Sequence, residues 1–143
     1  MADGASIRRA YQEMLHRIES VPGVEAAAVT SLVPLSGRDN ELGFWLGDGP
    51  RPPEDQMHSA LSFITAPDYL QAMNIPLRAG RFFTAHDTLA MPPVVVIDEA
   101  MAKRVFQGEN PLGREINIMV IGRVQIVGVA GHVKHWGLDG NEA

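Results

Sequence analysis

The stretch "PPVVVIDEAMAKRVFQ", residues 92–107, changes its pattern midway. Val94 to Ile97 are an unbroken run of β-branched apolar side chains, the composition of a buried strand. Beyond it the apolar residues Ala102 and Phe106 fall four apart, which puts them on one face of a helix. The sequence therefore predicts a strand over Val94–Asp98 that runs directly into a helix. Asp98 stands at the junction, where a carboxylate accepts an orphan backbone N–H and caps the helix, and Glu99 favours the positive end of the helix dipole.

Working outward, "GENPLGREI" (108–116) is a turn with two glycines and a proline. Strands near Asn117–Ile121 and Gln125–Ala130 follow as a hairpin. On the other side, a loop around Pro76 opens "NIPLRAGRFFTAHD" (74–87), which follows a short helix in "PDYLQAM" (67–73) with a strand in "HSALSFITA" (58–66) before it. Residues 36–56 form a polar surface excursion around one apolar island, Leu42–Leu46, expected as a short edge strand or hairpin. "VEAAAVTSLVPL" (24–35) suggests a strand ending near Pro34, with an alanine-rich helix as the alternative. In "IRRAYQEMLHRIES" (7–20), Ile7, Tyr11, Leu15 and Ile18 line one helical face, and Pro22-Gly23 stops the helix. The order of elements is mixed rather than regular βαβα, which places the chain in the α+β class.

At 143 residues the chain has the length of one domain. Its 45% hydrophobic and 20% charged residues are ordinary for a globular protein, which disfavours disorder and fibrous repeats. A formal charge of −5 suits solubility and argues against a broad phosphate footprint, so no nucleic-acid partner is expected. Without cysteine there is no disulfide framework, thiolate nucleophile or thiolate metal site. The longest apolar region, "INIMVIGRVQIVGVAG", is interrupted by Arg123 and Gln125 and reads as two strands rather than a membrane span.

The chemistry-bearing residues assemble into no complete motif. His132 and His135 are three apart, a spacing that brings two imidazoles to one metal on a helix, but the flanking glycines disfavour a helix and no third ligand is evident. His86-Asp87 is a pair able to orient an imidazole, yet Ser31, Ser36, Ser59 and Ser62 stand in no nucleophile elbow. The glycines never spell a dinucleotide or phosphate loop. No cofactor, metal or catalytic residue is assigned.

Four blocks in order, "RIESVPGVEAAAVTSLVPLSG", "APDYLQAMNIPLRAGRFFTAHD", "PPVVVIDEAMAKRVFQGENPLGREI" and "VQIVGVAGHVKHWGL", resemble the MacB-like periplasmic core domain of ABC transporter permeases in the MacB and FtsX superfamily. The likeness runs from about Ile7 to Leu138. It implies an extracytoplasmic domain inserted between membrane helices of a bacterial inner-membrane permease, served by a cytoplasmic ATPase and, on the outer side, by a periplasmic partner protein. It further implies porter-like βαβ elements and an inserted β-rich lobe beginning near residues 36–60, within a domain spanning 5–139 whose C-terminal portion continues beyond this chain. On this reading Asn74–Asp87 is a structured loop in which Gly80 allows a tight turn, Arg81 pairs with Asp87 and Phe82 or Phe83 anchors the loop in the core, while Asp98 caps its helix and Gly113 turns the chain into the next strand. Two other functions stand beside it: a free-standing protein-binding module, and a small hydrolase using Asp98 or His86.

Overall fold

A computed structural model describes residues 4–33, 35–36, 38 and 40–134. In chain order the elements are α1 (Gly4–Glu19), β1 (Glu41–Leu46), β2 (His58–Leu61), α2 (Tyr69–Ala72), β3 (Leu77–Gly80), β4 (Val94–Asp98), α3 (Glu99–Phe106), β5 (Glu115–Ile118) and β6 (Gly122–Ala130). The strand-to-helix switch read from residues 92–107 is thus β4 followed at once by α3. Asp98 caps α3 with extended backbone angles and a carboxylate that accepts the Met101 N–H at 2.7 Å.

All six strands belong to one mixed sheet, and β6 is its hub. It pairs antiparallel with β5 over Gly122–Gln125, antiparallel with β3 over Gly128–Ala130, and parallel with β4 over Gln125–Ala130. Because β3 and β4 both pair with the same β6 residues, they occupy opposite edges of it. Gln125 is likewise shared between β4 and β5, so β5 and β3 follow one another along a single edge. The parallel β4–β6 pair is joined through α3, which packs on both strands, giving the βαβ element expected of the class, with β5 added to the crossover.

The core lies where the inward positions of these strands meet α3: Phe44, Ile97, Phe106, Ile116, Val124, Ile126 and Val129 form one buried cluster. Alternation sets the inward face, as in β5, where Ile116 is buried between exposed Glu115 and half-buried Asn117. One irregularity matters for the site. Val95 opposes Ile126 and Val96 opposes Gly128, so β6 carries an extra residue, Val127, whose carbonyl turns to accept the Arg81 N–H at 2.9 Å.

Three local expectations are corrected. The apolar island at Leu42–Leu46 is not at an edge: β1 lies between β2 and β5, and β2 is the outer strand. Residues 36–60 therefore feed the common sheet through β1 and the start of β2. The segment 24–33 forms neither a strand nor a helix; Thr30 makes an isolated antiparallel bridge to Thr65, and Leu32 is buried beyond it. Finally, the loop expected over 74–87 contains strand β3, hidden from pattern reading because all of its residues are exposed.

Candidate functional site

Parallel pairing places Asp98, the last residue of β4, opposite Ala130, the last of β6. His132 follows two residues later, and its Nδ1 lies 2.6 Å from Asp98 Oδ2. Asp98 thus has both oxygens engaged, one by the α3 backbone and one by an imidazole. Neighbouring Glu99 accepts the His132 backbone N–H at 3.3 Å and lies 3.5 Å from the Arg78 guanidinium of β3. The ends of β3, β4 and β6 and the start of α3 are therefore tied by one polar cluster.

This cluster stands at the edge of a cleft of about 680 Å³, into which Asp98 and His132 both face. Its walls are mainly apolar and include Tyr69, Leu70, Ile75, Phe82, Phe83 and Met101. Burial pushes the Tyr69 phenol above its ordinary value, because the phenolate loses hydration there. Arg104 adds a cation to the rim, and its guanidinium donates to the Ser59 carbonyl at 3.0 Å. A mostly apolar concavity with a few convergent polar groups suits an amphipathic occupant.

The 74–87 string forms a different kind of structure. Arg81 donates to Asp87 through two parallel bonds, Nη1 to Oδ2 at 2.7 Å and Nη2 to Oδ1 at 2.8 Å. The Thr84 backbone N–H adds a bond to Oδ2 at 2.8 Å. First the Arg81 guanidinium and then the Thr84 N–H hold the Asp87 carboxyl well below the usual carboxylate range. With its oxygens so occupied, Asp87 is committed to Arg81 and Thr84 rather than to orienting His86. Phe82 and Phe83 stack at a tilt, centroids 4.6 Å apart, half-buried in the cleft wall and outside the buried cluster.

The two singled-out glycines act differently. Gly80 has φ +69°, and a Cβ there meets the Val127 carbonyl oxygen at 2.2 Å, so its role is close strand approach rather than a free turn. Gly113 has φ +79° with open space around it, and its N–H donates to the Ile126 carbonyl at 2.9 Å.

Of the serines found in no nucleophile elbow, Ser31 Oγ accepts the Ile64 N–H and Ser59 Oγ donates to Glu41. Among the described residues no three His, Asp or Glu side chains are grouped to hold a metal ion. His135 and Trp136 lie outside the described residues. Sequence reasoning missed the Asp98–His132 contact, since the partners are 34 positions apart and no local pattern links them.

Comparison with known proteins places these features in a lineage. The chain matches the MacB-like periplasmic core domain over residues 3–141. It is 34% identical over 65 residues to the macrolide export ATP-binding/permease protein MacB of Syntrophobacter fumaroxidans, covering 46% of this chain and 9% of the relative. With the protein of the same name from Rhodospirillum rubrum the identity is 37% over 70 residues, 45% of this chain and 11% of the relative. The matched segments thus span about a tenth of these curated relatives. The fold is that of the periplasmic region of MacB from Actinobacillus actinomycetemcomitans, with a TM-score of 0.59 at 18% identity over 94% of this chain and 59% of that one. It is shared also by the extracellular domain of the ABC-type transporter YknZ from Gram-positive bacteria, with a TM-score of 0.57 at 19% identity over 85% of this chain and 57% of that one. The chain belongs to the family of MacB-like periplasmic core domains, the extracytoplasmic domains of ABC transporter permeases in the MacB and FtsX superfamily.

Proposed function

We propose that this domain couples ATPase-driven conformational change in its parent permease to the handling of a substrate or partner protein on the extracytoplasmic side. The match to a periplasmic core domain along residues 3–141 carries this reading. The fold suits it: β6 is hydrogen-bonded to β3, β4 and β5 at once, so displacement of one sheet edge is passed to the others without a hinge between them. No helix among the described residues is long and apolar enough to cross a membrane. In this reading the membrane helices come from flanking parts of the permease and the ATPase acts in the cytoplasm. A periplasmic partner protein docks on the domain, of which residues 5–139 form a part.

The test is reconstitution of the parent permease with its ATPase, comparing the intact protein with a form deleted for this domain while checking insertion and assembly. Coupled transport is expected to be lost in the deletion with both proteins still assembled. Unchanged transport by a correctly assembled deletion overturns the coupling role. A parent gene encoding no flanking membrane helices favours a free-standing binding module instead.

A further inference from the structure

The sheet face turned away from the core gathers two methionine sulfurs over one glycine. In β1 the buried Phe44 points to the core, so its neighbours Gly43 and Trp45 point outward. Phe44 opposes His58 of β2 and Ile118 of β5; one step further along each ladder, Met57 stands across from Trp45 and Met119 across from Gly43. The Met119 N–H donates to the Gly43 carbonyl at 3.0 Å, which holds that register past the end of β5. A Cβ at Gly43 meets Met57 Sδ at 3.2 Å and Met119 Sδ at 4.0 Å. Both thioethers therefore converge on one point and lie no more than about 7 Å apart.

Covering a glycine takes one side chain, and half-buried Met57 does so; Met119 is 42% exposed and still brings its sulfur to the same point. The donors offered there are soft. Glu41, on the same face, is held by the Ser59 hydroxyl, and His58 is turned to the opposite face, stacked on Phe44 with ring centroids 5.2 Å apart. Trp45 adds an aromatic surface beside the sulfurs, its indole N–H donating to the Gly49 carbonyl at 3.4 Å. Soft thioethers favour copper(I) and its analogue silver(I), whereas carboxylate and carbonyl donors suit magnesium or calcium, and an indole face attracts a desolvated cation. An ion bridging the two sulfurs needs them roughly 4.6 Å apart, twice a metal–sulfur bond of about 2.3 Å, a closure within reach of methionine's three rotatable bonds.

We infer that Met57, Met119 and Trp45 form a site for a soft monovalent metal ion of the copper(I) class. The two sulfurs are its ligands, and the indole packs against the bound ion. Occupied, the site clamps β2 to β5 across β1, because Met57 leads into β2 and Met119 follows β5. Its residues sit on three neighbouring strands of one sheet, so it depends neither on the cleft nor on the coupling role proposed above.

The chain has no cysteine to compete for a soft ion, which makes the test direct in the full 143-residue protein. Silver(I), which takes the same donors without redox chemistry, is the probe, titrated as its nitrate in chloride-free buffer. With the methionine methyl groups isotopically labelled, the NMR signals of Met57 and Met119 are expected to shift together and saturate at one equivalent, ahead of the other methionines. In a Trp136→Phe background, Trp45 emission is expected to change over the same titration. Met57→Leu and Met119→Leu, which nearly conserve volume, are each expected to weaken binding at least about tenfold. Met73→Leu with Met91→Leu removes two exposed thioethers elsewhere and is expected to leave binding unchanged. No binding by the wild type overturns the site. Parallel shifts of all methionine signals, or an equal loss in the control, also overturn it, since they assign the ion to methionines in general. The wild-type methyl signals decide the question even where a leucine variant fails to fold.

Discussion

Gly80 of β3 and Gly128 of β6 stand directly opposite each other, and neither position has room for a methyl group. A Cβ at Gly128 meets the Arg81 carbonyl oxygen at 2.1 Å; one at Gly80 meets the Val127 carbonyl oxygen at 2.2 Å and a Leu112 methyl at 2.8 Å. Both clashes are with backbone oxygens, which have no rotamer to relieve them. Gly80→Ala adds the strain of φ +69°. Each substitution is expected to destabilise by about 2 kcal/mol or more, the range of overpacking plus backbone strain. Gly113→Ala, which meets nothing within 4 Å, carries only the φ penalty. Chemical denaturation of the three variants gives the order.

The Arg81–Asp87 pair lies between the surface and buried extremes, with Asp87 16% and Arg81 47% exposed. Solvent at the guanidinium screens the pair, so Arg81→Ala is expected to cost about 1–2 kcal/mol, below the 3–5 kcal/mol of a fully buried one. The sign of its pH dependence follows from the lowered Asp87 pKa. The folded state holds the carboxylate more tightly than the unfolded chain, where an aspartate titrates near 3.9. The stabilisation is therefore complete above about pH 5 and is lost as pH falls below about 4. Thermal midpoints of wild type and Asp87→Asn should differ by a constant amount near neutrality and converge in acid.

At the start of α3, Asp98 combines a cap with a contact to His132. Asp98→Ala removes both and is expected to cost about 1–2 kcal/mol. Asp98→Asn keeps an acceptor for the Met101 N–H and should cost less than half of that. His132→Ala leaves the cap intact, and because the imidazole is partly exposed its cost is expected to fall below about 1 kcal/mol. Comparing the three by thermal denaturation separates the cap from the cross-link; equal losses in Asp98→Ala and Asp98→Asn contradict the capping account.

Ile126 is fully buried at the centre of the hub strand. Ile126→Ala should cost about 2–5 kcal/mol, the lost transfer energy plus the cavity left by surrounding side chains that relax only partly. Val120→Ala at the exposed hairpin tip, where the side chain is 68% accessible, is the control and should change stability by less than about 0.5 kcal/mol.

Local physics made several of these features readable from residues alone. The apolar run Val94–Ile97 and the fourfold spacing of Ala102 and Phe106 report on neighbours a few positions away, so β4, α3 and the Asp98 cap were legible. The same holds for α1 and for the β5–β6 hairpin, though not for its bounds. The four family-like blocks likewise pointed to the lineage. Strand β3 was not legible: its residues bury nothing, and it is a strand only because its backbone finds β6 across the Gly80–Gly128 approach. Likewise β1 carried its own apolar pattern but no sign of being interior, which depends on β5 more than 60 residues further on. The Asp98–His132 contact and the cleft beside it rest on the parallel register of β4 against β6. Side-chain periodicity encodes which face is buried, whereas partner and register are chosen where distant backbone groups must satisfy each other's hydrogen bonds, and that choice exists only in the folded chain.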